Sequence, residues 1–356
     1  MQFFMLFEIV SEQNCWFAVL FLSVFTGEWA KLSAPLYDPA LQRLATVDLP
    51  ALLASSKADS TTRLYLTYWK KWEVWVSSHP SIQVFPVAPF HLSLYLAHLA
   101  STGPKSVADP TIAAIKWVHS LAGFPSPTDD PMVKTALQGF KRLHSSPTSR
   151  KLPITPHILR EIWKVHGQPN ASLADLRILF ISFISYAGFL RFDDLKKVSR
   201  NSCTFSQDCL SIHLPSSKSD QFRQGSDIVI ARSGKDTCPV RVAERYFAAL
   251  GDPSDCSLPV LRRLQVSKRG LIPTSYPLSY SRTREIVLDA IKPFVPDISK
   301  YGLHSMRSGG ASAAFNAQVP PFLISRQGRW SSDKARNKYL QIDSKSKLLA
   351  STSLGI

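Results

Sequence analysis

The chain has 356 residues, of which 45% are hydrophobic and 19% charged, which excludes a disordered tail, a collagen and a coiled-coil rod. Its net charge of +16 is uneven, because residues 1–150 carry 12 Lys and Arg against 10 Asp and Glu, whereas residues 151–356 carry 30 against 16. A basic second half favours nucleic acid as the partner, and an acidic membrane is the next candidate. The alternative is that the charge serves only solubility.

Residues 1–37 form a hydrophobic N-terminal extension. Its densest apolar run, Cys15 to Phe25, has 11 residues, whereas about 20 are needed to span a bilayer. The charges before this run are Glu8 and Glu12, although a secretory signal needs basic residues there. We expect a loosely attached extension, an added helix or a mispredicted start, and no stable membrane partner. A signal peptide or anchor, and thus a secreted or membrane-associated protein, is the alternative.

Residues 38–147 are predicted to form a helical domain. Ser60 is the expected N-cap of its first long helix, because serine caps orphan N–H groups. Spacings of three and four place one apolar stripe on this helix, made of Tyr65, Tyr68, Trp69, Trp72, Trp75 and Val76. The outer surface then carries Arg63, Lys70 and Lys71, which are candidates for contacts with DNA.

Three further helices are predicted in this domain. The second begins at Pro89, and the third has Asp109 as its N-cap and stops at Gly123. The fourth begins at Asp130 and Pro131. Each boundary follows the preference for Asp at the N-cap, Pro in the first turn and Gly after the last turn.

Residues 148–356 are predicted to form a second, mixed domain. Ser145 to Pro153 has the composition of a linker, and Thr155 and Pro156 begin the helix that follows. Alternating residues between polar turns predict two strands, Leu210–Leu214 and Asp227–Ala231. The remaining patterns are helical, at Ile178–Leu190, Val240–Leu250, Arg282–Ile291 and from His304 onward.

Candidate catalytic side chains follow one another through this second domain. Arg191 ends the long apolar helix, Lys218 lies between the two predicted strands, and His304 and Arg307 form a His-x-x-Arg motif. Trp330 follows Arg307 by 23 positions within Gly-Arg-Trp, and Tyr339 follows Trp330 by 9. Each residue alone has an ordinary structural explanation, and Tyr339 competes with Tyr276, Tyr280 and Tyr301.

In the order, spacing and surroundings of these residues, the sequence resembles the tyrosine recombinases, or phage integrases, over about residues 40–345. The resemblance implies a mainly α protein, in which a helical, SAM-like core-binding domain precedes an α+β catalytic domain with a small antiparallel sheet. It implies site-specific recombination or integration of double-stranded DNA through a 3′-phosphotyrosine, by a homotetramer on paired sites, without metal or cofactor.

The residues of these motifs look most like those of the Crypton and DIRS-like recombinases of eukaryotic mobile elements. This resemblance implies action in the nucleus. If the source is prokaryotic, the protein would act in the cytoplasm. Two departures from the family pattern are mild. Asp194 stands where many members have Glu, and Trp330 stands where many have His. A catalytically silent DNA-binding protein, derived from such an element, is the alternative function.

The resemblance implies a role for each residue, and the chemistry agrees. Arg191 and Arg307 would hold the non-bridging phosphate oxygens, and Tyr339 would attack phosphorus. His304 is the candidate base and Lys218 the candidate acid for the leaving oxygen. Trp330 would support the site by packing and through its indole N–H.

Two further features receive an interpretation from the sequence. The small residues from Ser308 to Ser312 are expected to let a helix pack closely beside Arg307. The basic cluster Arg262, Arg263, Lys268 and Arg269 is either a solvated loop or a phosphate contact. The five cysteines lack disulfide or zinc spacing, which predicts reduced thiols and no metal site.

Overall fold

A computed structural model describes residues 35–145, 150–215, 225–251, 255–268 and 270–355. The chain divides into two compact units, the first ending at Pro147 and the second beginning at Thr148. Each unit has its own buried core, and the two are described separately. Most of the predicted N-terminal extension lies outside the described residues. In the described part, no helix combines the length and the apolar content needed to cross a membrane.

The first unit consists of helices. A π-helical turn, Leu44–Asp48, joins the first two helices, and a 3₁₀ turn, Pro127–Asp129, precedes the last. The helices are α1 Pro39–Arg43, α2 Leu49–Ala54, α3 Asp59–Ser77, α4 Pro89–Thr102, α5 Ala108–Ala122 and α6 Pro131–Leu143.

The core of the first unit forms where α3 packs on α5 and α4 packs on α6. The predicted aromatic stripe of α3 faces this core, with Trp69 and Trp72 fully buried. The Trp72 indole N–H donates to the Val84 carbonyl at 3.0 Å, so its polar end is satisfied inside the core. The spacing of apolar residues therefore identified the buried face of α3 correctly.

Two of the predicted N-caps in this unit are wrong. Helix α3 begins at Asp59, so Ser60 lies inside its first turn, where Asp59 is favourable beside the positive helix end. Helix α5 begins at Ala108, which places Asp109 inside the helix. Pro110 is tolerated there because an N–H in the first turn has no helical acceptor.

The predicted cap of α6 and stop of α5 are confirmed. The carboxylate of Asp130 accepts the Met132 N–H at 2.7 Å. Gly123 ends α5 with a φ of +74°, a left-handed conformation that glycine adopts without a steric penalty.

The second unit combines helices with two small antiparallel sheets. Its first helix begins at Pro156, in agreement with the predicted start at Thr155 and Pro156, and Thr155 is its N-cap. Its 3₁₀ turns are Arg200–Ser202, Lys292–Phe294 and Ile298–Lys300. The helices are α7 Pro156–His166, α8 Leu173–Ala187, α9 Phe192–Leu195, α10 Pro239–Leu250, α11 Tyr280–Ile291, α12 His304–Asn316, α13 Pro321–Gly328, α14 Asp333–Asn337 and α15 Ser344–Thr352.

The three-stranded sheet contains both strands that were predicted. Its order is β1 Cys203–Phe205, β2 Cys209–Leu214 and β3 Ser226–Ala231. In the β2–β3 ladder, Leu210 pairs with Ile230 and Ile212 with Ile228. These four side chains are buried in the core of the second unit, because alternate residues of a strand point to the same face.

A second hairpin was not predicted. Strands β4 Arg262–Ser267 and β5 Gly270–Pro277 pair antiparallel, so Arg262 and Arg263 of the basic cluster lie in a strand. Its apolar residues Val266, Leu271 and Ile272 are exposed, and an exposed strand lacks the alternation that marks a half-buried one.

Candidate active site

Arg191 lies just after the buried helix α8. The chain turns at Gly188 and Phe189, where Phe189 has a φ of +46°, and Arg191 then becomes the N-cap residue of the short helix α9. Its side chain is 15% exposed. The turn directs the Phe189 carbonyl and the Arg191 guanidinium into the same small region.

Asp194 is the carboxylate of this region and is fully buried. Its Oδ2 accepts the backbone N–H of Arg191 at 3.1 Å and Nη2 of Arg329 at 2.9 Å. The Nη1 of Arg191 is farther from the same oxygen, at 3.9 Å. That buried Nη1 has no hydrogen-bond partner among the described residues.

Arg307 lies at the centre of the region on helix α12, with none of its surface exposed. Its Nη1 donates to the Phe189 carbonyl and its Nη2 to the Gly328 carbonyl. Its Nε has no hydrogen-bond partner within the described ranges. A buried cation held by neutral carbonyls retains its full charge for a further, anionic partner.

Helix α12 approaches its neighbours closely because its residues beside Arg307 are small. A Cβ at Gly309 would lie 2.2 Å from the Ile154 carbonyl oxygen, and a Cβ at Gly310 would lie 2.1 Å from the Tyr186 carbonyl oxygen. These separations are far shorter than any real Cβ contact. The expected close packing of the Ser308–Ser312 run is confirmed.

Tyr339 and Trp330 pack over the Arg307 guanidinium. The Arg307 Cζ lies 4.4 Å from the Trp330 ring centroid and 5.0 Å from the Tyr339 ring centroid, within the range of cation–π attraction. The two rings are 5.1 Å apart. The Trp330 indole Nε1 is buried and has no hydrogen-bond partner in the described structure.

Arg336 anchors the turn that carries Tyr339. Its Nη1 donates to Asp333 Oδ1 at 2.8 Å and to Ser325 Oγ at 3.1 Å, which ties helix α14 to α13. The Tyr339 N–H then donates to the Arg336 carbonyl at 2.9 Å, and the Ser312 hydroxyl donates to the Tyr339 carbonyl at 3.3 Å. The Tyr339 backbone is therefore fixed to both α14 and α12.

Positive charge exceeds negative charge in this region. The guanidinium groups of Arg191, Arg307 and Arg329 meet the carboxylate of Asp194. Burial lowers the pKa of Arg307 from its ordinary value, and the charges of Arg191 and Arg329 lower it further. Burial also lowers the pKa of Arg329, which Asp194 opposes. A bound anion would relieve this repulsion, so the region is suited to hold a phosphate group.

The structure brings together four of the six predicted catalytic residues: Arg191, Arg307, Trp330 and Tyr339. His304 is the first residue of α12 and is exposed, three positions before Arg307. Lys218 lies outside the described residues. Arg329 was missed, although it stands inside the Gly-Arg-Trp motif, because the sequence does not show its contact with Asp194.

The predicted DNA-binding residues have different surroundings. Arg63, Lys70 and Lys71 are exposed on α3, as are Arg263 and Lys268 on the β4–β5 hairpin. Arg262 is buried and only 7% exposed, so we no longer expect it to contact DNA. Arg269 lies outside the described residues. Among the residues described, no cluster of three or more His, Cys, Asp or Glu could hold a metal ion.

Comparison with known proteins finds a relative of this chain by sequence. The chain is 25% identical over 297 residues to the integrase/recombinase XerD homolog of Selenomonas ruminantium, covering 81% of this chain and 83% of that protein. The predicted resemblance to the tyrosine recombinases is confirmed by this relative. The Crypton and DIRS-like subgroup stays a prediction. No family model matches the chain.

Two solved structures share the fold of this chain. One is the XerH site-specific recombinase bound to its palindromic difH substrate, with a TM-score of 0.53 and 12% identity, covering 83% of this chain and 77% of that one. The other is a lambda integrase (75–356) dimer bound to a COC′ core site, with a TM-score of 0.50 and 14% identity, covering 83% and 94%. The prediction of a mainly helical protein with a small antiparallel sheet is confirmed.

Proposed function

We propose that this protein is a tyrosine recombinase that cuts and rejoins double-stranded DNA through Tyr339, in site-specific recombination or integration. The observation that carries the proposal is the position of Arg307, whose buried guanidinium lies 5.0 Å from the Tyr339 ring. Arg191 acts electrostatically on the same group. A nucleophile beside two arginines is the arrangement that attack on a phosphodiester requires.

The reaction is an exchange of one phosphodiester for another. The Tyr339 oxygen forms a bond to phosphorus, and the bond from phosphorus to the 5′-oxygen breaks. His304 takes the phenol proton and Lys218 supplies the proton that the leaving oxygen needs. The 3′-phosphotyrosine conserves the bond energy, so attack by a 5′-hydroxyl rejoins a strand without an external energy source.

The arginines would stabilise the charge that develops on the phosphate. Arg191 Nη1 and Arg307 Nε are buried donors without a partner in the described structure, and a buried donor that stays unpaired is costly. Non-bridging oxygens of the substrate would satisfy both. Because these contacts strengthen as negative charge develops during attack, they would lower the barrier.

The two units would share the contact with DNA. We assign residues 38–147 as the core-binding domain and residues 148–356 as the catalytic domain. The exposed Lys70 and Lys71 of α3 and the Arg263 and Lys268 of the β4–β5 hairpin supply positive charge for phosphate contacts. The working form would be a homotetramer on two paired sites, acting in the nucleus as the mobile-element resemblance implies.

The test is covalent capture on a suicide substrate. A pool of duplexes of random core sequence, each nicked so that the cleaved end diffuses away, is incubated with the full chain. Wild-type protein should form an adduct that survives denaturation, and Tyr339→Phe should form none. Tyr276→Phe and Tyr280→Phe are matched controls, because both tyrosines are exposed and should be dispensable.

Two results would contradict the proposal. An adduct that persists in Tyr339→Phe would show that another residue is the nucleophile. Wild-type protein that binds these duplexes but never forms an adduct would support the alternative of a silent DNA-binding protein. Sequencing the DNA ends from a wild-type adduct would identify the preferred site.

A further inference from the structure

Arg329 has a backbone conformation that its side chain disfavours. Its φ is +55° and its ψ is +45°, the left-handed region in which a Cβ is close to the carbonyl. Such strain persists where the surrounding contacts hold it, and it concentrates at functional sites. The contacts that hold Arg329 in this conformation therefore indicate its role in the site.

The Arg329 side chain joins three separate segments of the site. Its Nη2 donates to Asp194 Oδ2 at 2.9 Å and to the Phe189 carbonyl at 3.3 Å. Its Nη1 donates to the Gln327 carbonyl at 3.0 Å and to the Gly188 carbonyl at 3.4 Å. Arg329 thus connects the turn after α8, helix α9 and the end of α13, and its side chain is 8% exposed.

The contact with Asp194 affects which donors Arg191 has available. Asp194 Oδ2 already accepts from Arg329 and from the Arg191 backbone, and the Arg191 Nη1 remains 3.9 Å away. Without Arg329, the carboxylate would be a buried charge lacking a cation, and the Arg191 guanidinium is the nearest cation that could replace it. A guanidinium paired to Asp194 would be a poorer ligand for phosphate.

We propose that Arg329 is a positioning residue for strand cleavage, which neutralises Asp194 and fixes the turn at Gly188 and Phe189, so that Arg191 stays available for the scissile phosphate. This proposal rests on the proposed function, because it assigns Arg191 to the phosphate. Arg329 acts through Asp194 and Arg191, and it makes no contact with the reacting atoms in the proposal.

Arg329→Gly tests the proposal without adding backbone strain. Glycine adopts a positive φ freely, so the variant loses the side-chain contacts while its backbone is relieved. We expect the single-turnover rate of adduct formation to fall about 100-fold, as is typical when a reacting group is misplaced. Gln318→Gly is the matched control, because Gln318 also has a positive φ, of +60°, and it is exposed. Its rate should equal that of wild type.

A second substitution separates this role from a structural one. In Arg329→Gly/Asp194→Asn, the amide oxygen still accepts the Arg191 N–H, but the negative charge that would capture Arg191 is gone. We expect the double variant to form adduct about tenfold faster than Arg329→Gly alone. A merely structural role predicts further loss, because two buried contacts would then be absent.

Thermal unfolding of each variant tests whether the protein is folded, and its DNA affinity tests whether the substrate is bound in the assay. An Arg329→Gly rate within threefold of wild type would overturn the proposal, as would a double variant no faster than the single one. Both outcomes require an active wild-type protein. A wild-type protein without any adduct would instead contradict the proposed function.

Discussion

At the scale of single residues, the site consists of a few side chains whose types follow from the chemistry. Arg191, Arg307, Trp330 and Tyr339 were predicted because the order and spacing of their motifs resemble those of the tyrosine recombinases, and the structure brings these four side chains together. The partners of these side chains were not predictable. Arg329 and Asp194 are 135 positions apart, and no local pattern relates them, because their contact joins the residue after α13 to the distant helix α9.

His119 illustrates a residue-scale property that follows from burial. Val87 N–H donates to its Nε2 at 3.1 Å, and its Nδ1 contacts the Ile115 carbonyl at 2.9 Å. A neutral ring with its proton on Nδ1 donates to the Ile115 carbonyl and accepts the Val87 N–H at Nε2. A protonated ring would carry a second N–H at Nε2, and that group would face the Val87 N–H. Burial accordingly lowers the pKa of His119.

We expect the stability of the first unit to fall as pH decreases below about 6.5. The unfolded state, with an ordinary histidine pKa of about 6.5, then binds a proton that the folded state does not, so stability decreases by up to about 1.4 kcal/mol per pH unit. Urea unfolding of wild type and His119→Gln, followed from pH 8 to pH 5, measures this slope. Equal slopes in the two proteins would show that His119 does not titrate as expected.

At the scale of elements, the helices were predictable where one face is buried. The stripe of α3 and the start of α4 at Pro89 came directly from periodicity and proline placement. The β4–β5 hairpin was missed because its apolar side chains are exposed on both strands. A hairpin that does not bury one face has no alternation of apolar and polar residues in its sequence, and this alternation is the pattern that predicts a strand.

Close contact between α12 and α8 predicts a strong effect of a single methyl group. In Gly310→Ala, the new Cβ would lie 2.1 Å from the Tyr186 carbonyl oxygen and 2.7 Å from the Phe189 ring. Helix α12 would have to move away, and Arg307 with it. We expect the second unit to lose about 3 kcal/mol of stability, measured by urea unfolding, together with most of its adduct formation.

Gly302→Ala is the control for this substitution within the same unit. A Cβ at Gly302 would have no atom within 4 Å, so the change in stability should stay within about 0.5 kcal/mol. If Gly310→Ala were as stable as Gly302→Ala, the close approach of α12 would be incorrect.

At the scale of the whole molecule, the distribution of charge distinguishes the two halves. Residues 151–356 hold 30 Lys and Arg against 16 Asp and Glu. Within that half, Lys164 is paired with Glu161 at 2.7 Å, whereas the β4–β5 hairpin exposes Arg263 and Lys268. Only side chains that replace counterions on DNA contribute to the salt dependence of binding.

We expect Arg263→Ala and Lys268→Ala each to reduce the slope of log affinity against log salt concentration by about one, because each removes one phosphate contact. Lys164→Ala is the control and should leave the slope unchanged. Binding to a duplex at 50 to 300 mM salt measures all three slopes, a range chosen because affinity changes steeply there. A hairpin that does not contact DNA would show no change in any variant.

The amino-acid sequence by itself determined the helical character of the first unit and the excess charge of the second, because these follow from local spacing and from residue type. The candidate residues Arg191, Arg307, Trp330 and Tyr339 came from the resemblance of their motifs to those of the tyrosine recombinases. Tertiary structure decided that Arg262 is buried, that Arg329 neutralises Asp194, and that Arg307 lies beneath both aromatic rings. These depend on contacts between segments far apart in the chain, and such contacts are set by the packing of whole helices rather than by any neighbouring residues.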